Sequence, residues 1–235
     1  MSYPSFVAVA ALLMSIFMLT FILPQFVGVF DTFGGELPAL TRFFVTLTVL
    51  FQKYWYLFFL FLAALIAAFL AYIKTPSGKL NYDKFKLNAP IFGEISRKGA
   101  IARFTRILGT LIKSGVPILE ALQVSSNAIG NLVISAAVLG AKTKIKEGQS
   151  ISSPLAASGV FPPMVTQMIM VGEESGELEE MLVNVAKFYD EEVDRAVEKL
   201  TAIIEPLMMA FIGLTVGTMI IAMYLPIFGM INLIQ

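Results

Sequence analysis

Residues 54–73 read YWYLFFLFLAALIAAFLAYI, twenty positions without one charged side chain. A helix needs about 20 apolar residues to cross a bilayer, so this stretch is long enough to span one. Two more stretches share the property. Residues 1–30 carry no charge before Asp31, and residues 206–235 carry none. The pattern predicts three membrane spans, at about 5–27, 54–73 and 201–225. A cleaved signal peptide would place basic residues before its apolar core. MSYPS has none, and the apolar run behind it is too long.

The composition agrees. Hydrophobic residues make up 57% of the chain and charged residues 14%, against roughly 25% charged in a soluble domain. There is no cysteine and no histidine. A disulfide framework, thiolate metal sites, histidine triads and HExxH zinc sites are therefore excluded. Zero net charge gives no pointer to nucleic acid. The nearest approach to a phosphate loop, GAKTKIKEG at 140–148, lacks the GxxxxGK[ST] spacing. Neither a GxSxG elbow nor a dinucleotide fingerprint occurs. The sequence thus predicts no catalytic residue, no cofactor and no metal site.

Basic residues orient the spans. Fifteen of the seventeen Lys and Arg residues lie between Lys74 and Lys199. Lys74, Lys79, Lys84 and Lys86 follow the second span, and Arg195 and Lys199 precede the third. Cytoplasmic loops carry the excess of Lys and Arg, so residues 74–200 and the N-terminus are expected in the cytoplasm and the C-terminus outside. The expected organisation is span one at 1–30, an extracytoplasmic connection at 31–53, span two at 54–73, a cytoplasmic helical domain at 74–200, and span three with a short tail at 201–235. Within the connection, 39–52 reads either as a short interfacial helix or as an extension of span two.

The cytoplasmic region has helical periodicity. Ile101, Phe104, Ile107, Leu108, Leu111 and Ile112 form one apolar stripe, with Arg103, Arg106 and Lys113 on the other face. Ser114-Gly115 ends that helix and Pro117 opens the next, with Ile118, Leu119, Leu122 and Val124 as its apolar contacts. A third helix is predicted over about 131–147. Segment 149–163 holds one short helical turn, and another helix runs over about 163–172. From Leu178 an apolar stripe continues unbroken to Pro206, which predicts a helix running into span three. The fold class is therefore an all-α membrane protein: three transmembrane helices plus a cytoplasmic bundle of about six short helices.

Charge within the bundle is lopsided. Residues 75–148 hold eleven basic and four acidic side chains (+7), and residues 149–200 hold three basic and ten acidic (−7). Solvated faces beside an anionic leaflet account for this, and so does docking between subunits or onto a partner. VGEESGELEEML at 171–182 concentrates five of the acids. Glu177, Glu179 and Glu180 suit the positive end of a helix dipole. Glu173 and Glu174 end the preceding helix, where the dipole disfavours them. That leaves three readings for the stretch: punctuation between helices, a partner contact, or a divalent-ion site. Glu173, Glu174, Glu177, Arg103 and Arg106 are the partner-contact candidates. Glu205 is the one charge in the third span, read as interfacial or as a polar contact within a bundle. Pro206 and Pro24 are expected to kink their spans.

LTFILPQF at 19–26, LPALTR at 37–42, RFTRILGTLIKSGVPILEAL at 103–122, FPPMVTQMIMVGEESGELEEML at 161–182, FYDEEVD at 188–194 and LTAIIEP at 200–206 occur in an order that covers almost the whole chain. In these segments the chain resembles the type II secretion F-protein family, inner-membrane platform proteins of type II secretion and type IV pilus systems. The resemblance implies a bacterial inner-membrane protein without catalysis of its own. It implies a cytoplasmic hexameric assembly ATPase, pilins or pseudopilins and other inner-membrane assembly components as partners, and a homo-oligomer. Members usually carry a further cytoplasmic helical domain before the first span. Here Met1 lies almost at the span, which fits a split gene, a truncation or a short member; with a split gene, a separate first-half chain is the expected partner. A transporter or channel component, or a membrane tether for a cytoplasmic regulator, are the rival readings.

Overall fold

A computed structural model describes residues 2–32 and 38–231. Residues 33–37 of the expected extracytoplasmic connection and residues 232–235 of the tail lie outside the described residues. Every described element is helical. In order they are α1 (Ser2–Phe17), a π-helical turn (Met18–Ile22), α2 (Leu23–Thr32), α3 (Ala39–Lys74), α4 (Pro76–Asn88), α5 (Phe92–Lys113), α6 (Ile118–Ala128), α7 (Leu132–Lys146), α8 (Ser152–Ala157), α9 (Pro163–Ser175) and α10 (Leu178–Ile231). Among the described residues three stretches are long and apolar enough to cross a membrane: Phe6–Gly28, Ala39–Lys74 and a part of Leu178–Leu225. The chain divides into two compact units, residues 1–67 with 201–235, and residues 68–200.

In the first unit, 39–52 extends span two, because ALTRFFVTLTVLFQK contains neither Gly nor Pro to stop α3. Phe58, Leu60 and Phe61 point outward from it, as side chains solvated by lipid do. Pro24 lies in the first turn of α2, directly after the π-helical turn, where the Leu23 N–H donates to the Met18 carbonyl five residues back. The widened turn accommodates a residue that lacks an N–H and whose ring crowds the carbonyl four residues earlier. Thr41 is 1% exposed, and its hydroxyl donates to the Ala222 carbonyl at 2.5 Å. That carbonyl would normally accept from residue 226, which is proline. A threonine from α3 thus satisfies a backbone acceptor that α10 cannot satisfy for itself.

The second unit is a helical bundle around one core. Ile101, Phe104 and Leu108 of α5 meet Leu122 of α6, Ile134 and Val138 of α7, Leu155 of α8, Val165 and Ile169 of α9, and Leu182, Val185 and Tyr189 of α10. The Phe104 and Phe161 rings meet at a tilt of 47°, 5.3 Å between centroids. The predicted stripes supply Ile101, Phe104, Leu108 and Leu122, while no predicted stripe named Ile134, Val138 or Leu155. Val124, expected as an apolar contact, lies about 200° around α6 from Leu122 at 100° per residue and is exposed.

Helix ends follow local chemistry. Gly115 has φ +77°, with the Gly115 N–H on the Ile112 carbonyl at 2.9 Å and the Val116 N–H on the Leu111 carbonyl at 3.0 Å. That pair of bonds closes α5 as a Schellman motif. Asn131 caps α7 by accepting from Val133 and Ile134 N–H. Thr75, followed by Pro76, caps α4. Between α4 and α5 the chain reverses through Ile91 at φ +66°, where the Phe92 N–H reaches the Pro90 carbonyl at 2.7 Å. This is a γ-turn with a β-branched centre, a strained conformation.

Candidate functional site

The acidic stretch 171–182 forms the corner between α9 and α10. Gly176, at φ +77°, ends α9. Gly172 lets the two helices close on each other: a Cβ there would lie 2.8 Å from the Leu178 Cα and 3.0 Å from the Met181 Cγ. Glu177 immediately precedes α10, its N–H donating to the Ser175 hydroxyl at 3.3 Å and its carbonyl accepting from Met181. The position ahead of α10 is thus held by Glu177, directly after Gly176.

Glu173 and Glu174 are adjacent but occupied differently. The Glu173 carboxylate is half-buried and turned toward the start of α8. It accepts from the Ile151 N–H at 2.8 Å and the Ser152 N–H at 3.3 Å, with the Ser152 hydroxyl at 3.4 Å. It is a cap contributed by one helix to the N-terminus of another, where unpaired N–H groups and the dipole both favour a carboxylate. This explains an acid that its own helix disfavours. Glu174 is exposed on the rim of a groove of about 490 Å³, which is also lined by Ser150, Ser153, Gln167 and Met170. Among the described residues no three carboxylates converge as metal ligands would.

The lopsided charge is partly consumed inside the chain. Lys98 of α5 holds Glu192 of α10 at 2.7 Å and Glu94 at 2.5 Å, Lys113 holds Glu179 at 2.8 Å, and Arg106 pairs with Asp190. Gly109 lies in the same seam, where an added Cβ would sit 3.2 Å from the Leu182 Cβ. Hydrogen bonding to Glu192, and then to Glu94, raises the Lys98 amine above its ordinary value. Hydrogen bonding to Lys98 holds the Glu94 carboxyl below its own. Arg106 is therefore engaged by α10. Arg103 is exposed and lines a different groove, between α4 and α5.

The structure brings Glu173 and Glu174 to one groove and places Glu177 at the front of α10. Glu205 is exposed on α10, and that helix continues through Pro206 without a break.

Sequence reasoning missed Asp83, which is 4% exposed. Its carboxylate accepts from the Leu132 N–H at 2.7 Å and its carbonyl from the Asn131 side chain at 3.2 Å. This is a second carboxylate capping a foreign helix. The local signal was limited to Asn131 ahead of an apolar run; nothing near Asp83 names its partner.

The profile of the family described as type II secretion system (T2SS), protein F, matches residues 104–226, which include the acidic corner and the Arg106 and Lys113 pairs of the α5–α10 seam. Curated relatives match along the whole chain. A type IV pilus assembly protein PilC of Myxococcus xanthus is 43% identical over 235 residues, covering 100% of this chain and 56% of the relative. The PilC of Thermus thermophilus is 44% identical over 233 residues, covering 99% and 57%. A type II secretion system protein F of Pseudomonas aeruginosa is 32% identical over 232 residues, covering 99% and 57%. The chain spans a little more than half the length of these relatives. With its helical bundle, its three apolar helices and these matches, the chain belongs to the type II secretion system protein F family.

Proposed function

We propose that this chain is an inner-membrane platform of a type IV pilus assembly machine, coupling a cytoplasmic hexameric ATPase to pilin subunits as they leave the membrane. The observation that carries this reading is the likeness along the whole chain to pilus assembly proteins, which is stronger than the likeness to secretion proteins. The secretion relatives support a second reading, in which the same platform serves pseudopilins and protein secretion. The chain has no GxxxxGK[ST] loop, so in either reading the energy comes from the partner. Helix α10 supports a coupling role. Its 54 residues carry both the start of the acidic corner's second helix and the third apolar stretch on one continuous helix.

In this reading residues 74–200 face the cytoplasm, the N-terminus lies on the same side and the C-terminus lies outside. The platform works as a homo-oligomer. Glu174 and Glu177 are the proposed partner contacts, because both are exposed while Glu173 is held by α8. Glu205 is proposed to sit at the membrane interface. The test is co-purification from detergent-solubilised membranes of the native cell. Tagged chain should retain the assembly ATPase, and Glu174→Lys with Glu177→Lys should reduce it at least several-fold with the fold intact. Equal ATPase recovery from the tagged chain and from an untagged strain refutes the coupling.

A further inference from the structure

We propose that the groove between α4 and α5 binds an anionic phospholipid, its phosphate on Lys86 and Arg103 and its acyl chain on Tyr82, Phe85 and Phe92. Helix α4 starts at Pro76, two residues after α3 ends at Lys74, and is tied back to the last turns of that helix. The Asn81 side-chain amide donates to the Tyr72 hydroxyl at 3.3 Å, and the Tyr82 ring meets the Phe69 ring edge-on at 6.1 Å. Phe69 belongs to the charge-free stretch 54–73. It lies five residues before Lys74, about 7–8 Å along the helix, so Tyr82 packs beside an apolar turn of the span itself.

The other side of α4 is fixed to the bundle by Asp83 and Leu87, both buried. Phe85 is about 200° around the helix from Asp83 and is 69% exposed. Phe92, beyond the turn, is exposed as well. The groove holds about 510 Å³. Among the described residues, carboxylates pair with Lys98, Arg106, Lys113 and Arg195, and none pairs with Lys86 or Arg103. Two unneutralised cations beside three aromatic rings, against the end of a membrane span, match a phosphodiester with an acyl chain. The inference rests on α3 crossing the membrane and is independent of which machine the chain serves.

The experiment uses the full chain with Trp55, its only tryptophan, changed to Phe, and Phe85→Trp as reporter, reconstituted in phosphatidylcholine bilayers containing brominated phosphatidylglycerol. The control reporter is Val124→Trp, exposed on α6. Quenching at position 85 should exceed that at 124 at least twofold. Its apparent affinity for phosphatidylglycerol should fall about fivefold for each of Lys86→Gln and Arg103→Gln, since a basic residue near an anionic surface contributes about 1 kcal/mol. In parallel, native mass spectrometry of the unmodified chain should show retained phosphatidylglycerol that the double variant loses. Equal quenching at 85 and 124, blue-shifted emission at 85 without quenching (a protein occupant), or lipid retention unchanged by the double variant would each overturn the proposal.

Discussion

Replacing Glu173 by alanine should loosen the start of α8 while leaving α9 and α10 in place. The carboxylate accepts two backbone N–H groups, at 2.8 Å and 3.3 Å, and reaches the Ser152 hydroxyl. A hydrogen bond to a charged group contributes about 1.5–3 kcal/mol. The second contact here is long and Glu173 is only half-buried, so water recovers part of the loss. The net cost is about 2 kcal/mol, a factor of roughly 30 in a local opening equilibrium. Hydrogen exchange followed by mass spectrometry on the full chain in detergent reads this directly, through peptides covering residues 149–155. Exchange at Ile151 and Ser152 should accelerate about 30-fold, and glutamine at 173, which keeps one acceptor oxygen, should fall between alanine and wild type. Glu174→Ala should leave those amides within about twofold of wild type. Unchanged exchange in the Glu173 variant would refute the capping role and return Glu173 to the partner-contact candidates.

Other perturbations have equally definite outcomes. Gly172→Ala should destabilise the chain by about 1–3 kcal/mol, because its Cβ meets Leu178 backbone; Gly140→Ala, exposed in α7 with nothing within 4 Å, should stabilise it by about 0.5–1 kcal/mol, both read by denaturant titration in micelles. Thr41→Val should cost about 1–2 kcal/mol by orphaning the Ala222 carbonyl, whereas Thr41→Ser should restore most of it; equal stability of the two variants would show the hydroxyl to be idle. The Lys98 cluster gives a pH signature. Glu94 is depressed, so its contribution is complete above the unfolded value near 4.5 and is lost as pH falls through the folded value. Lys98 is raised, so its contribution is complete below 10.5 and is lost as pH rises through the folded value. The stability difference between wild type and Lys98→Met should therefore be flat between about pH 6 and 9 and shrink at both extremes. A reporter fused after Gly148 should report cytoplasm; an outside signal would invert the proposed topology.

The spans were legible because a bilayer imposes length and apolarity on twenty consecutive residues at once. Most of the bundle was legible for a related reason: stripes such as Ile101, Phe104 and Leu108 are local, and Ser114-Gly115 announces its own αL turn. Helix α4 was signalled by Thr75-Pro76 yet hidden among its lysines, which drew attention to charge instead. Pairings at long range were not legible. Glu173 reaches Ile151 across 22 residues and Asp83 reaches Leu132 across 49. Only the packing of α8 on α9, and of α4 on α7, brings them together. Counting charge along the chain could not show that Arg106 and Lys113 meet acids of α10, and so are held within one subunit. The seam leaves Glu174, Glu177 and Arg103 exposed for contacts elsewhere.

The platform assignment is tested most directly by counting surface pili per cell, by electron microscopy, in a strain lacking the gene for this chain and in the same strain complemented with it. The account predicts no pili on the deletion strain, their return on complementation, and solute uptake equal to wild type. Wild-type numbers of pili on the deletion strain would contradict it. Loss of secreted proteins beside those pili would then favour the secretion platform, and altered solute uptake a transporter.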